Sequence, residues 1–395
     1  MTSFDSSPTL TAWRTLLALA VVFVMLATTG WTAVRHHKSD GQPRLVALAA
    51  WSRGSMDGFD LPSADAPPKR LAHFFASLTA AEQTRLVDRY PLVVGNLNGA
   101  PVTLRYQANR IALDEAVAVQ QRRVHDPQLS PDGRKDASNR MSRFEALASK
   151  DRQILAFDPA GSGRVAEVLG DLDRAKRVSI VVPGVDTTAL TFEKSWRPYS
   201  APVGMATSLY AAERTASPNT PTAVIAWADY TAPAGIGVDA AIGRLAEDGA
   251  VRLNQLVSAL PGATPVELFC HSYGSVLCGV AARHLPSRVS DVAVAGSPGM
   301  RAEKVSQLDT DARVWAMRDR DDWIQDVPYM DVGGLGHGQD PVDPAFGARV
   351  MSASGAIGHT GYFTPGTSSL SNFAAIGVGS YQEVSCADGQ SACHS

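Results

Sequence analysis

The chain has 395 residues, of which 45% are hydrophobic and 19% charged, and its formal net charge is -3. That is the composition of an ordinary globular protein, one large domain with extra segments or two domains, and it excludes low-complexity or collagen-like architectures. There is no basic excess to draw nucleic acid, and no internal repeat is visible.

Residues 1–40 form the first segment. No charge falls between Arg14 and Arg35, and residues 15–34 have about the length that spans a bilayer. A cleaved signal peptide and a buried core helix are the alternatives. The stretch is long for the apolar core of a signal peptide and no A-x-A-like site follows it, so we read a single N-terminal membrane anchor. Arg35, Lys38 and Arg44 outnumber Arg14, which argues for a cytoplasmic catalytic part. Single N-terminal anchors usually carry exported domains, however, and the extracytoplasmic side is the reading taken.

Residues 41–68, rich in Gly, Pro, Ser and Asp, read as a linker. Residues 69–150 read as a helical region packed on the catalytic part. Thr79-Ala80-Ala81-Glu82 fits a capping box and Pro91 stops the helix behind it. Residues 109–124 space Ile111, Leu113, Ala116 and Val119 among charges, as an amphipathic helix does, and residues 137–150 form another charged helix.

From Gln153 the pattern changes. Residues 154–157 and 164–169, on either side of Asp158-Pro159-Ala160-Gly161, read as a hairpin. Residues 178–182 and 222–227 are apolar runs suited to strands buried on both faces. A long helix is expected over 239–260, then strands over 266–270, 289–295 and 313–317, with a last strand-like stretch over 348–352. Buried strands alternating with helices imply a mostly parallel sheet covered on both faces. An opening hairpin fits the α/β-hydrolase arrangement, placed at residues 151–380, with a polar tail at 381–395.

The run Val266-Glu267-Leu268-Phe269-Cys270 leads into His271-Ser272-Tyr273-Gly274-Ser275. A Ser between a strand and a helix, flanked by small residues, is the nucleophile elbow of acyl-transfer enzymes, usually G-x-S-x-G. Gly274 holds the second small position and Cys270 stands at the first. With Ser272 as nucleophile, the chain order calls for an acid and then a His. Asp319, Asp321 and Asp322 directly follow the strand at 313–317. Asp322 is favoured because Trp323-Ile324 can hold it against the sheet; Asp321 and Asp319 are the alternatives. The base is expected at His359, on a late loop with Gly358 before it and the aromatic pair Tyr362-Phe363 after it. His337 reads as a residue that fixes a loop by hydrogen bonds. His271 faces the wrong way to act as the base. The oxyanion donors are expected to be the N–H groups of Tyr273 and of Val185, the latter in the loop Pro183-Gly184-Val185-Asp186. Cys270 and Cys278 read as small core residues. Cys386 and Cys393 either close a disulfide loop or are free thiols in the tail.

The chain resembles the predicted α/β-hydrolase family of actinobacteria, long catalogued as a domain of unknown function. The resemblance rests on Pro91-Leu92-Val93-Val94-Gly95-Asn96-Leu97-Asn98-Gly99-Ala100-Pro101, Ala108-Asn109-Arg110, Leu155-Ala156-Phe157-Asp158, Val182-Pro183-Gly184, His271-Ser272-Tyr273-Gly274-Ser275, the stretch from His337-Gly338 to Phe346-Gly347, and Gly358-His359. It covers residues 72–380, so it takes in the helical region but not the anchor. It implies a serine-hydrolase site like those of lipases and cutinases and supplies no substrate. The family has Gly where this chain has Cys270, a departure at the turn itself.

These readings converge on a membrane-anchored serine hydrolase, an esterase or lipase-like enzyme acting on a small-molecule or lipid ester. No cofactor or metal is expected. The alternatives are an inactive binding or scaffold protein on the same fold, and an acyltransferase using the same three residues.

Overall fold

The computed structural model describes residues 43–387 and residue 393. The stretch 15–34, expected to anchor the chain, lies outside them. No helix among the described residues is long and apolar enough to cross a membrane.

The stretch expected to be a linker carries regular structure among its described residues. Pro43–Ser52 forms helix α1, followed by the short hairpin of β1 (Ser55–Met56) and β2 (Phe59–Asp60). Pro43 suits the first turn of a helix, and the Leu- and Ala-rich run behind it continues one. Helices α2 (Pro68–Ala76), α3 (Ala80–Arg89), α4 (Pro91–Val94), α5 (Val102–Val124) and α6 (Pro131–Leu147) follow. The Thr79–Glu82 capping box opens α3. Helix α5 starts well before the position expected from its apolar spacing, because its buried face also carries Arg105 and Asn109. Trp51, Phe75, Leu86 and Val94 share a core of their own beneath this layer.

Strands β3 (Gln153–Asp158) and β4 (Arg164–Gly170) form the antiparallel hairpin. Next come β5 (Arg177–Val182), helix α7 (Pro202–Ala216) and β6 (Thr222–Ala228). The helix expected over 239–260 is divided into α8 (Val238–Ala241) and α9 (Arg244–Ala259), with Gly243 at the break. Then come β7 (Val266–His271), α10 (Tyr273–Ala281), β8 (Val289–Ala295) and β9 (Arg313–Met317). A small hairpin of β10 (Asp331–Val332) and β11 (Leu335–Gly336), the two-residue β12 (Arg349–Val350) and α11 (Ser368–Val378) complete the fold.

Eight strands make one sheet in the order β12-β9-β8-β7-β5-β6-β4-β3, with β12 to β6 parallel. This is an α/β-hydrolase fold. Alternate residues of a strand face opposite sides. Ile225 and Trp227 join one core with Leu253 and Leu277, while Val224 and Ala226 join the other with Leu209 and Phe373. The helical layer closes the exposed β3 edge with two asparagines. Asn96 donates to Phe157 O (2.7 Å) and accepts from Phe157 N (3.2 Å), and Asn109 donates to Ile154 O (2.9 Å). An edge strand's backbone groups need such partners when buried.

Cys270 and Cys278 are joined by a disulfide rather than packed as separate core thiols, and Cys386 is bonded to Cys393. The first pair meets because α10 folds straight back over β7.

Candidate active site

The parallel strands all point one way, and ligands of open α/β sheets bind beyond their C-terminal ends. Ser272 sits there, between β7 and α10, 5% exposed. Its backbone has φ 55° and ψ -129°. A non-glycine residue tolerates such values only where the surroundings enforce them. Here Ser272 N donates to Ala295 O (3.0 Å), and Ser275 returns both its N–H (2.9 Å) and its hydroxyl (2.5 Å) to Ser272 O. Gly274 lets the helix start close to β5: a Cβ there would lie 2.3 Å from Val182 O.

Ser272 Oγ is 2.8 Å from His359 Nε2. On the other side of the ring, His359 Nδ1 is 2.8 Å from Asp322 Oδ1 and 3.1 Å from Oδ2. These partners fix the tautomer: Nδ1–H donates to the carboxylate, and Nε2 accepts the serine proton. Asp322 is fully buried. Burial pushes its carboxyl up, but hydrogen bonds from His359, Tyr362 and the Ile324 N–H outweigh this and hold it below its ordinary value. Tyr362 OH donates to Asp322 Oδ2 (2.5 Å). Burial and the adjacent carboxylate push the Tyr362 phenol well up, so it remains a donor.

The other two acids lie elsewhere. Asp321 is largely exposed beside Arg320 (3.7 Å). Asp319 Oδ2 accepts the Gly358 N–H (2.8 Å) and so holds the loop that carries His359. Both Tyr362 and Phe363 are buried and anchor that loop from behind.

His271 does not reach Ser272. Its Nε2 lies 2.6 Å from His359 O. Burial, together with the neighbouring His359, pushes the His271 pKa down to about 3. The ring is therefore neutral and donates Nε2–H to that carbonyl, bracing the His359 backbone. His337 Nε2 is 2.6 Å from Ala240 O and ties the end of the β10–β11 hairpin to helix α8. The His271 brace, the Tyr362 hydroxyl and the Asp319 contact were not read from the sequence. They link residues 39 to 88 positions apart, and no local pattern marks them. Trp323, expected as a wall for Asp322, is exposed, and its ring centroid lies 4.7 Å from that of His359.

Tyr273 is the first residue of α10, so its N–H has no acceptor within the helix. The loop after β5 comes in against it. A Cβ on Gly184 would lie 2.6 Å from Ser272 Cβ and 3.1 Å from Tyr273 N, so only glycine permits this approach. Val185 follows, half-buried, and its N–H has no backbone acceptor among the described residues. The loop is fixed by Tyr230 OH on Pro183 O (2.6 Å), by Thr187 Oγ1 on Gly184 O (2.9 Å) and by Asp186 N on Pro233 O (2.8 Å). Among the described residues no group of three His, Cys, Asp or Glu side chains is placed to hold a metal ion.

A Ser-His-Asp hydrogen-bond chain at a strand–helix elbow is the arrangement of serine hydrolases. The sequence profile of a family described as alpha/beta hydrolase matches residues 158–332. An uncharacterized protein of Mycobacterium tuberculosis is 27% identical over 418 residues, covering 86% of this chain. The chain spans 62% of that relative's length. An uncharacterized protein of Mycobacterium bovis is 32% identical over 181 residues, 44% of this chain and 67% of its own length. The chain belongs to this alpha/beta hydrolase family. Among solved structures, a dienelactone hydrolase from Anabaena variabilis aligns with TM-score 0.34 and 14% identity over 56% of this chain and 92% of its own. A serine hydrolase without lid from Xanthomonas campestris aligns with TM-score 0.30 and 16% identity over 45% of this chain and 74% of its own.

Proposed function

We propose that the protein is a serine hydrolase that cleaves a carboxylic ester through an acyl-enzyme on Ser272. The observation that carries this reading is the unbroken hydrogen-bond chain from Ser272 through His359 to Asp322. His359 takes the Ser272 proton as Oγ attacks the ester carbonyl, and Asp322 stabilises the imidazolium that forms. The N–H groups of Tyr273 and Val185 hold the oxyanion; one such donor lowers the barrier by about 3 kcal/mol. His359 then protonates the departing alcohol. Water, activated by the same His, releases the acid and restores Ser272. The chemistry calls for no metal or organic cofactor.

The substrate class we favour is a lipid or other apolar ester. Ile236, Val238, Trp323, Met330, Leu335 and Ile357 are exposed large apolar side chains, all on connections that follow the C-terminal ends of β6, β9 and β12. That is the end of the sheet where Ser272 lies. We further propose that residues 15–34 anchor the chain in a membrane with the catalytic part outside the cytoplasm. The Cys270–Cys278 and Cys386–Cys393 bonds fit an oxidising compartment.

The test is turnover of p-nitrophenyl esters of increasing acyl length by the full chain in detergent, beside Ser272→Ala. The expected result is hydrolysis that rises with acyl length and is lost in the variant. Equal turnover by Ser272→Ala contradicts the reading. Ester product in the presence of a competing alcohol would instead assign an acyltransferase.

A further inference from the structure

The small residue usually found two positions before an elbow serine lets the following helix lie close to its strand. Here that position is Cys270, and the close approach is occupied by a covalent bond to Cys278, with the two Cα atoms 6.6 Å apart. Both residues are sealed in the core, 1% and 0% exposed, in the same apolar cluster as Val182, Leu268, Val276 and Leu277. The bond closes a ring of chain that contains Ser272 and Tyr273, the proposed nucleophile and one proposed oxyanion donor.

We propose that the Cys270–Cys278 disulfide is a positioning element for Ser272, holding covalently the strand–helix approach that a small residue otherwise permits. The inference rests on the serine-hydrolase reading of that site. Ser272 keeps a positive φ, which persists only when the surroundings over-determine it. The disulfide is one of those constraints, and it touches no substrate.

The geometry says what its loss does. Without the bond, only packing holds the first turns of α10 against β7. Ser272 Oγ and the Tyr273 N–H move with α10, whereas His359 is held separately by His271 and Asp319. A misplacement of about 1 Å at reacting groups slows a reaction on the order of a hundredfold. Reduction by a phosphine would break the S–S bond, give each sulfur a proton and oxidise the phosphine with oxygen from water. The pair is buried, so substitution tests the idea more directly.

The experiment compares the full chain in detergent as wild type, Cys278→Ser, and Cys270→Gly/Cys278→Ser. The readouts are the fluorophosphonate labelling rate at Ser272, the melting temperature, and amide hydrogen exchange across residues 271–279. Cys278→Ser should label roughly ten- to a hundredfold slower well below its melting temperature, with faster exchange at the elbow. Adding Cys270→Gly should recover most of the rate. A lower melting temperature with labelling and elbow exchange unchanged overturns the proposal, because the bond then serves stability alone. If wild type takes no label, the serine-hydrolase reading falls and the exchange data still decide: faster elbow exchange, reversed by glycine, supports the positioning role, and identical exchange overturns it. Should Cys278→Ser not fold, the double variant carries the test. Folded and labelling within tenfold of wild type, it supports the exchange of bond for glycine; folded and unlabelled, it contradicts it.

Discussion

Two buried carboxylates at opposite ends of the sheet meet opposite fates. Asp322, beyond the C-terminal end of β9, is held ionised by donors on both its oxygens. Glu267, near the start of β7, is equally buried and pairs with Arg177 (2.5 Å). Burial nevertheless dominates there, with nearby Asp291 adding to it, and pushes the Glu267 carboxyl well above its ordinary value. Ser290 and Arg177 both reach Oε1, and Oε2 has no partner among the described residues. Glu213, packed against the sheet beside Ser179, is pushed up to about 7, chiefly by burial. One neighbouring cation is thus not enough to offset burial at Glu267. At Asp322, donors on both oxygens do offset it, and that is how the site end differs from the structural end.

The largest expected effect breaks the site end. Asp322→Asn removes the charge and favours the wrong His359 tautomer. We expect kcat to fall on the order of 10⁴-fold with the fold intact, measured by ester turnover beside circular dichroism.

The structural end should respond in stability instead. Glu213 has an ordinary value of 4.5, and its folded value is about 7. A raised acid contributes stability that is fully present below the unfolded value and lost as pH rises through the folded one. Urea midpoints should therefore fall between about pH 4.5 and pH 7, with this group contributing on the order of 3 kcal/mol. Glu213→Gln should flatten that slope and leave kcat unchanged. Asp322 has the opposite sign: its contribution is present above the unfolded carboxylate value and lost as pH falls through the depressed folded one.

Smaller effects sharpen the account of the site. Tyr362→Phe removes one donor from Asp322, so the carboxyl should rise towards its ordinary value. We expect kcat to drop about tenfold, roughly the loss of one charge-assisted hydrogen bond. His271→Phe keeps a ring but loses the donor to His359 O. The expected loss is about tenfold or less in kcat with KM unchanged. The pH profile should not move, because His271 is already neutral; a shifted limb would show that it titrates in the working range.

The sheet was readable because five buried strands appear as apolar runs between Gly and Pro turns, and the elbow because Ser272 and Gly274 sit where one run ends. The structure brings His359 and Asp322 to Ser272, in the order that strand topology suggested. Helix α1 was masked by the turn-rich residues that follow it. The start of α5 was hidden because Arg105 and Asn109 occupy its buried face. The Cys270–Cys278 bond was missed because a Cys at a small-residue position reads as packing, and only the helix folding back over the strand brings its partner near. The braces from His271, Asp319 and Tyr362 come from distant parts of the chain, and spacing in one sequence cannot show them.

The proposed chemistry depends on an activated Ser272 hydroxyl. Its most direct test is reaction of the full chain with a fluorophosphonate, followed by peptide mapping, beside Ser272→Ala and His359→Ala. Label should fall on Ser272 alone, be absent from Ser272→Ala and be nearly absent from His359→Ala. Folded wild-type protein without label, or label that persists in His359→Ala at the wild-type rate, would contradict it.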